Sequence, residues 1–200
     1  MRIYPTLFAK FYDGAIHSFE EKISPDRENF LKNLKGKIID VGSGTGANFK
    51  YFNAEAEILA VEPALEMLNK SKEKIQGKNI KLIHLGINDE ALINQIEAKS
   101  IDAIVCTLVL CTIPNPELAI LNFKKWLKPD GKLIIIEHIC SEKPFNLKFQ
   151  NLVNPVWKKF AEGCNLNRDT EKLLAKNGFK SDNAITFHLG LRLVKGIYSM

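Results

Sequence analysis

Two acids, three glycines and one histidine in this chain stand where they could do chemistry. Asp40 lies in the run Lys37-Ile38-Ile39-Asp40-Val41-Gly42-Ser43-Gly44-Thr45-Gly46-Ala47-Asn48. Glycines at 42, 44 and 46 let the main chain turn sharply and let a ligand lie against it with no Cβ in the way. Glu62 ends a second apolar run, about 20 residues after the turn begins, where an acid can accept both hydroxyls of a ribose. His138 closes a third run, Leu133-Ile134-Ile135-Ile136-Glu137-His138. An imidazole at a strand end has the pKa range of a proton acceptor, and a structural hydrogen bond to a loop accounts for it equally well. Glycine turns also serve plain strand–helix packing, because folds reuse them freely.

The four cysteines are Cys106, Cys111, Cys140 and Cys164. None forms C-x-x-C and no histidine stands at zinc spacing from them, so no metal site is expected. Free thiols in a reduced compartment are the simplest account. Cys106 falls within an apolar strand pattern and reads as core. Cys111 has nothing basic beside it in sequence, which argues against a covalent nucleophile. His84, inside a strand, reads as a satisfied core histidine.

These residues need elements to hold them. Residues 3–23 carry a wide apolar stripe at helical spacing. Ser24-Pro25-Asp26 is expected to break that helix, and 28–34 to form a second short one. The stripe fits a lid over a ligand or a membrane-surface helix; few positive charges flank it, which favours the lid. The glycine turn should join a strand to a helix whose first amides face the ligand. Further strands are expected at 57–62, 81–85, 100–107 and 133–138, and helices at 64–75 and 116–127. Asn88 or Asp89, just after the third strand, could supply a polar contact. The alternation over 37–138 predicts an α/β fold, a doubly wound Rossmann-like sheet, mostly parallel. A helix over 169–176 follows, with Asp169 as its cap, and then a closing hairpin over 179–187 and 191–198. One domain is expected over 1–200, with 1–34 as a helical lid, 37–138 as the core, and 139–200 as helices and closing strands.

Net charge is +5, with basic residues dispersed among acids. There is no basic block and no aromatic–basic alternation, so no nucleic-acid partner is expected. No apolar run approaches the ~20 residues that span a bilayer. A cytoplasmic protein is the default, with attraction to an anionic membrane surface as the further option.

Asp-Val-Gly-Ser-Gly-Thr-Gly resembles the first motif of the class I S-adenosylmethionine (SAM) methyltransferases. Tyr12-Asp13 resembles the pair whose tyrosine closes on SAM in that family. Ile101-Asp102-Ala103 is similar to its F-D-x-V, and Trp126-Leu127-Lys128-Pro129-Asp130-Gly131-Lys132-Leu133 resembles its L-K-P-G-G-x-L hairpin. The resemblance implies SAM as cofactor and an antiparallel hairpin at one sheet edge. It implies that Gly42, Gly44 and Gly46 pack on the methionine part, with Asp40 near its amino group. By the same resemblance Glu62 holds the ribose, Asn88 or Asp89 meets the adenine amino group, and the main chain of Thr107 and Leu108 passes the sulfonium.

The segment after Leu108 is apolar and carries a thiol where adenine and glutamine methylators have D/N-P-P-Y. From about Tyr12 on, "LVLCTIPNPE", "EHI" and "NPVWKKFAEGCNLNRDT" together resemble the alkyl-thiol S-methyltransferases of animal microsomes and their bacterial relatives. Phospholipid N-methylating and quinone C-methylating enzymes form the wider neighbourhood. The resemblance implies methyl transfer to a small-molecule or lipid acceptor, a thiol foremost; His138, by its strand-end position, is the residue placed to assist. Arg168 and Asp169 either cap the acceptor pocket or only start a helix. The animal enzymes carry an N-terminal hydrophobic anchor that this chain lacks, so tight membrane attachment is not expected. An NAD-dependent oxidoreductase is the reading outside the class; the glycine spacing, the hairpin and the lack of Tyr-x-x-x-Lys argue against it.

Overall fold

The computed structural model describes residues 17–161 and 163–200. They fall into two compact units, one reaching to Ile96 and including Ile101–Ala103, the other Glu97–Ser100 with Ile104–Met200. The sheet is mixed, mostly parallel with an antiparallel edge, and helices flank it. The α/β, Rossmann-like expectation is met.

In the first unit, helix α1 (His17–Leu31) precedes strand β1 (Lys37–Val41). Strand β2 (Glu57–Val61), helix α2 (Leu65–Ser71), strand β3 (Ile80–Ile83) and the single turn α3 (Glu90–Ile93) follow. β1 pairs parallel with β2 and β2 with β3. Ile38, Ile39, Val41, Ile58, Ala60 and Val61 are buried, as expected of parallel strands covered on both faces. Asp40 lies among them, fully buried. A carboxyl in such a place needs partners or a proton.

Two expectations fail in this unit. Helix α1 runs through Pro25 without a break. Ile23, Arg27 and Leu31, spaced four apart, put one face into the core, while Pro25 sits on the exposed side. Burial of that face offsets the one amide bond that proline omits. The glycine turn is followed by no α-helix, only a three-residue 3-10 turn at Phe49–Tyr51. Phe49 N–H bonds Gly46 O, Tyr51 N–H bonds Asn48 O and Phe52 N–H bonds Phe49 O. These i→i+3 bonds bury Phe49 and Phe52 together, the spacing a 3-10 turn eclipses. The expected helix dipole is therefore absent from this turn.

The second unit takes up most of strand β4 (Ile101–Thr107). It continues with helix α4 (Pro116–Trp126), strand β5 (Leu127–Ile139), helix α5 (Pro144–Phe160), helix α6 (Thr170–Lys176) and strands β6 (Lys180–Ser181), β7 (Ile185–Leu189) and β8 (Leu191–Ser199). Asn115 caps α4 by accepting from Leu118 N–H at 3.1 Å, and Pro116 occupies its first turn, where a missing amide costs nothing. β8 is antiparallel to β5, with His138 opposite Leu193. The expected first strand of the closing hairpin is split: β6 and β7 both pair with β8, and Asn183 Oδ1 accepts Ile197 N–H across the gap. β5 extends from Leu127 and not from Leu133. A Cβ at Gly131 would lie 3.0 Å from the main chain of Lys128, so only glycine fits there. Phe123, Trp126 and the isoleucines Ile134–Ile136 form the core of this unit. Among the described residues no helix is long and apolar enough to cross a membrane.

Candidate functional site

In the first unit the chemistry collects at the carboxyl ends of β1 and β2. Ser43 N–H bonds Val61 O at 3.1 Å and ties the glycine turn to β2. Gly42, Gly44 and Gly46 all have positive φ. At Gly44 (φ +55°) an added Cβ would meet nothing nearer than Gly42 O at 3.9 Å, whereas at Gly46 it would strike the Phe49 ring at 2.8 Å. Gly44 thus faces open space and Gly46 faces the core.

Glu62 joins the turn: one carboxylate oxygen accepts Gly44 N–H at 2.9 Å and the other Ala64 N–H at 2.8 Å. Each oxygen keeps a second acceptor site, a pair suited to a vicinal diol. Burial raises the Glu62 pKa, and the amides of Ala64 and Gly44 oppose it. Asp40 Oδ1 accepts from Asn48 Nδ2 at 2.7 Å, and Arg27 donates to Asn48 Oδ1 at 2.7 Å and to Glu20 at 2.8 Å. Burial pushes Asp40 up to about 7, against the Asn48 hydrogen bond and the Arg27 charge. Asp40 Oδ2 and Ser43 Oγ are buried without a partner. Bare main chain at Gly44, the diol-ready Glu62 and two orphaned polar atoms fit an adenosine bearing an amino-acid tail.

Beyond β3, Asp89 turns its carboxylate onto Gly86 N–H at 2.6 Å and sits at the N-cap of α3, so its side chain is committed to that turn. Asn88, half-buried, precedes it. His84, expected as a core histidine inside the third strand, is exposed just beyond β3, with Nε2 3.1 Å from Pro63 O. Tyr12 lies outside the described residues.

The second unit holds a cluster of soft donors. β4 ends at Thr107, and Leu108 takes φ +55° with its N–H on Ile136 O at 2.8 Å. A positive φ is strained for leucine. Glu137 Oε1 accepts the amides of Val109 and Leu110, each at 2.7 Å, while Oε2 is buried and unpartnered. Burial pushes Glu137 up to about 7 against those amides. Glu137 thereby shapes the loop that presents Cys111.

His138 is buried, with Nε2 3.0 Å from Cys164 Sγ and Nδ1 unpartnered. Cys111 Sγ, Cys164 Sγ and a His138 ring nitrogen all lie within 4.8 Å of one another. Cys164 is drawn down to about 4, first by the thiol of Cys111 and then by His138 and Trp157 donating to its sulfur. Cys111 is held well above the usual thiol range, by the hydrogen bond to Cys164 and by burial. The two thiols titrate as a pair, with Cys164 pushed down and Cys111 pushed up. Burial lowers the His138 pKa, but the Cys164 thiolate and Glu137 outweigh it and the net direction is up.

The segment around Cys164 is stitched to the Cys111 loop. Asn165 gives both its main-chain N–H (3.0 Å) and its Nδ2 (2.9 Å) to Cys111 O. Arg168 donates to Leu110 O and, at 2.8 Å, to Ile113 O. Asn154, on α5, accepts Leu166 N–H at 2.8 Å. Arg168 thus braces the loop that carries Cys111, while Asp169 caps α6 by accepting Lys172 N–H at 3.0 Å. Sequence reasoning singled out His138 but missed Cys164, Cys111 and Glu137 as its company. The run Gly163-Cys164-Asn165, within the segment that carries the family resemblance, was the available signal.

Residues 39–135 match the family model described as a methyltransferase domain. A chain in the complex between the Trm112 methyltransferase activator of Haloferax volcanii and a methyltransferase has the same fold, with a TM-score of 0.75, 10% identity and the whole of both chains covered. The thiol S-methyltransferase TMT1B of Rattus norvegicus is 31% identical over 81% of this chain and 70% of its own length. A phosphatidylethanolamine N-methyltransferase of Cereibacter sphaeroides is 20% identical over 54% of this chain and 53% of its own. The chain belongs to the class I SAM-dependent methyltransferases and is an enzyme that takes its methyl group from SAM.

Proposed function

We propose that this enzyme methylates a small lipophilic thiol. The observation that carries the reading is the Cys111–His138–Cys164 cluster, with Cys111 and His138 buried and Cys164 half-buried, a soft, polarisable site with an imidazole able to take a proton. The likeness to thiol S-methyltransferases supports it.

SAM supplies an electrophilic methyl group on a sulfonium. Everything else is binding and orientation by the chain. Gly42 and Gly44 would cradle the donor's methionine part, with Gly46 turned toward Phe49 to hold the turn; Asp40 and Ser43 would receive its amino-acid tail, and Glu62 would accept the ribose hydroxyls. Asn88 takes the adenine contact because Asp89 is spent on Gly86. The family resemblance assigns the sulfonium to the main chain of Thr107 and Leu108, and Leu108 takes φ +55°. An ordinary thiol has a pKa near 8.5 and needs modest help to ionise at pH 7. His138 supplies that help. Arg168, beside the cluster, balances the thiolate charge.

A second reading, a phospholipid acceptor met at a bilayer surface, is favoured by one observation. Phe145, Phe149, Leu152, Val156 and Phe160 form an exposed apolar face along α5, with Lys148, Lys158 and Lys159 on the same helix. Such a helix lies readily in a lipid interface. Methyl transfer from labelled SAM to a panel of short alkyl thiol, hydrogen sulfide, phosphatidylethanolamine vesicles and reduced quinone separates the readings. Labelled thioether is expected, with turnover reduced 10²-fold or more in His138→Ala. Label in the lipid alone would replace the thiol by the second reading.

A further inference from the structure

Two thiols and an imidazole from three separate segments converge in the second unit: the loop after β4, the end of β5 and the loop after α5. Nothing in general methyl-transfer chemistry requires them. We propose that Cys111 Sγ, Cys164 Sγ and His138 Nε2 bind a thiophilic divalent cation of the zinc class, with a fourth position open to the acceptor's sulfur.

The donor set selects the metal. Two thiolates and an imidazole suit zinc and its soft neighbours and reject magnesium and calcium, which require oxygen. Three protein ligands leave a tetrahedral ion one vacancy, the pattern of a reactive zinc and not a structural one. The spacing is right. A tetrahedral ion with ordinary zinc–ligand bonds sets sulfurs about 3.8 Å apart and nitrogen about 3.5 Å from sulfur. Here the three donors already lie within 4.8 Å of one another, and His138 Nε2 is 3.0 Å from Cys164 Sγ. Small side-chain rotations would open that gap around an ion replacing the protons now held there.

The support for the donors is rigid. Cys111 sits on a loop whose amides at Val109 and Leu110 are held by Glu137 and whose own carbonyl is held twice by Asn165. Gly163, at φ +88°, brings the chain against Thr112 O just before Cys164. His138 is fixed in the β5–β8 ladder. Pre-set ligands of this kind lower the ordering cost of binding. The charges also close. A divalent ion with two thiolates and a neutral imidazole is neutral, and an arriving thiolate adds one negative charge, which the Arg168 guanidinium can offset.

This deepens the thiol reading and its acceptor half rests on it. The acceptor's S–H bond breaks, its proton leaves to water and its sulfur binds the ion as thiolate; that sulfur then forms the new S–CH3 bond as the donor's sulfonium–methyl bond breaks and S-adenosylhomocysteine leaves. The help given by His138 is then delivered through the ion that it holds.

The test uses the purified full chain, freed of metal by a chelator and titrated with Co2+ as a spectroscopic probe. Expected are about one equivalent bound per chain, a thiolate-to-cobalt charge-transfer band and the strong visible absorption of tetrahedral cobalt, displaced by zinc. Cys111→Ser, Cys164→Ser and His138→Ala should each weaken binding at least tenfold while still binding SAM, and Cys140→Ser should behave as wild type. Adding a short alkyl thiol should shift the visible bands. Absence of the charge-transfer band in a wild-type chain that binds SAM overturns the metal site, even if thiols are methylated. Cobalt bound through these three residues but unmoved by thiol keeps the metal site and overturns the open acceptor position.

Discussion

Gly44 and Gly46 are two residues apart and look interchangeable in sequence, yet their surroundings assign them different work. Alanine at Gly46 must push the Phe49 ring aside, since its Cβ would lie 2.8 Å from that ring. Alanine at Gly44 has room, so its cost is the left-handed backbone, about 1–2 kcal/mol. The new methyl would also stand where the donor must lie against main chain. Gly44→Ala is therefore expected to lose a few degrees of thermal stability but at least tenfold in SAM affinity by calorimetric titration. Gly46→Ala should melt lower still. Equal SAM affinity in Gly44→Ala and wild type would remove the glycine from the donor cradle. His138 shows the same dependence on surroundings. Its type and strand-end position were readable, but its partners were not, because Cys111 and Cys164 come to it only through the loops that Glu137 and Asn165 tie down.

At the scale of elements, the legible parts were those decided locally. Continuous apolar runs gave β1, β2, β4 and β5, and Pro116 and Asp169 gave the starts of α4 and α6. Where the neighbours decide, local signals misled. Pro25 was read as a break, but the buried row Ile23, Arg27 and Leu31 carries α1 past it. The chain after Gly46 was read as a helix, but burying Phe49 and Phe52 together closes it as a 3-10 turn. Helix α5 is a different case: its own pattern is amphipathic with the apolar face outward. Phe149 is 60% and Leu152 77% exposed, so replacing both with serine should leave stability within about 0.5 kcal/mol. If α5 meets lipid, the same double variant should bind anionic vesicles at least tenfold more weakly in sedimentation, since each buried apolar side chain contributes about 1.5–3 kcal/mol. A wild-type chain that stays in the supernatant at every lipid composition would remove the bilayer role of this face.

For the molecule as a whole, the buried acid at the heart of the first unit ties folding to pH. Asp40 is fully buried and its pKa rises from 3.8 to about 7, chiefly through burial, despite the hydrogen bond from Asn48 and the charge of Arg27. The folded chain therefore holds the Asp40 proton more tightly than the unfolded chain does. Stability from this group is fully present below about pH 4, drains away as pH rises toward about 7, and is level above that. A shift of this size corresponds to a few kcal/mol. Asparagine at this position keeps the shape and can still accept from Asn48, but has no proton to lose. Urea unfolding of wild type and Asp40→Asn at pH 5 and pH 8 isolates the effect, because titrations elsewhere cancel in the difference. The variant should gain on wild type as pH rises, by kilocalories and not tenths, while binding SAM more weakly for want of the carboxylate. A constant stability difference across that range would mean that Asp40 is ionised throughout, its charge held by Arg27 and Asn48, and the neutral buried carboxyl would have to be given up.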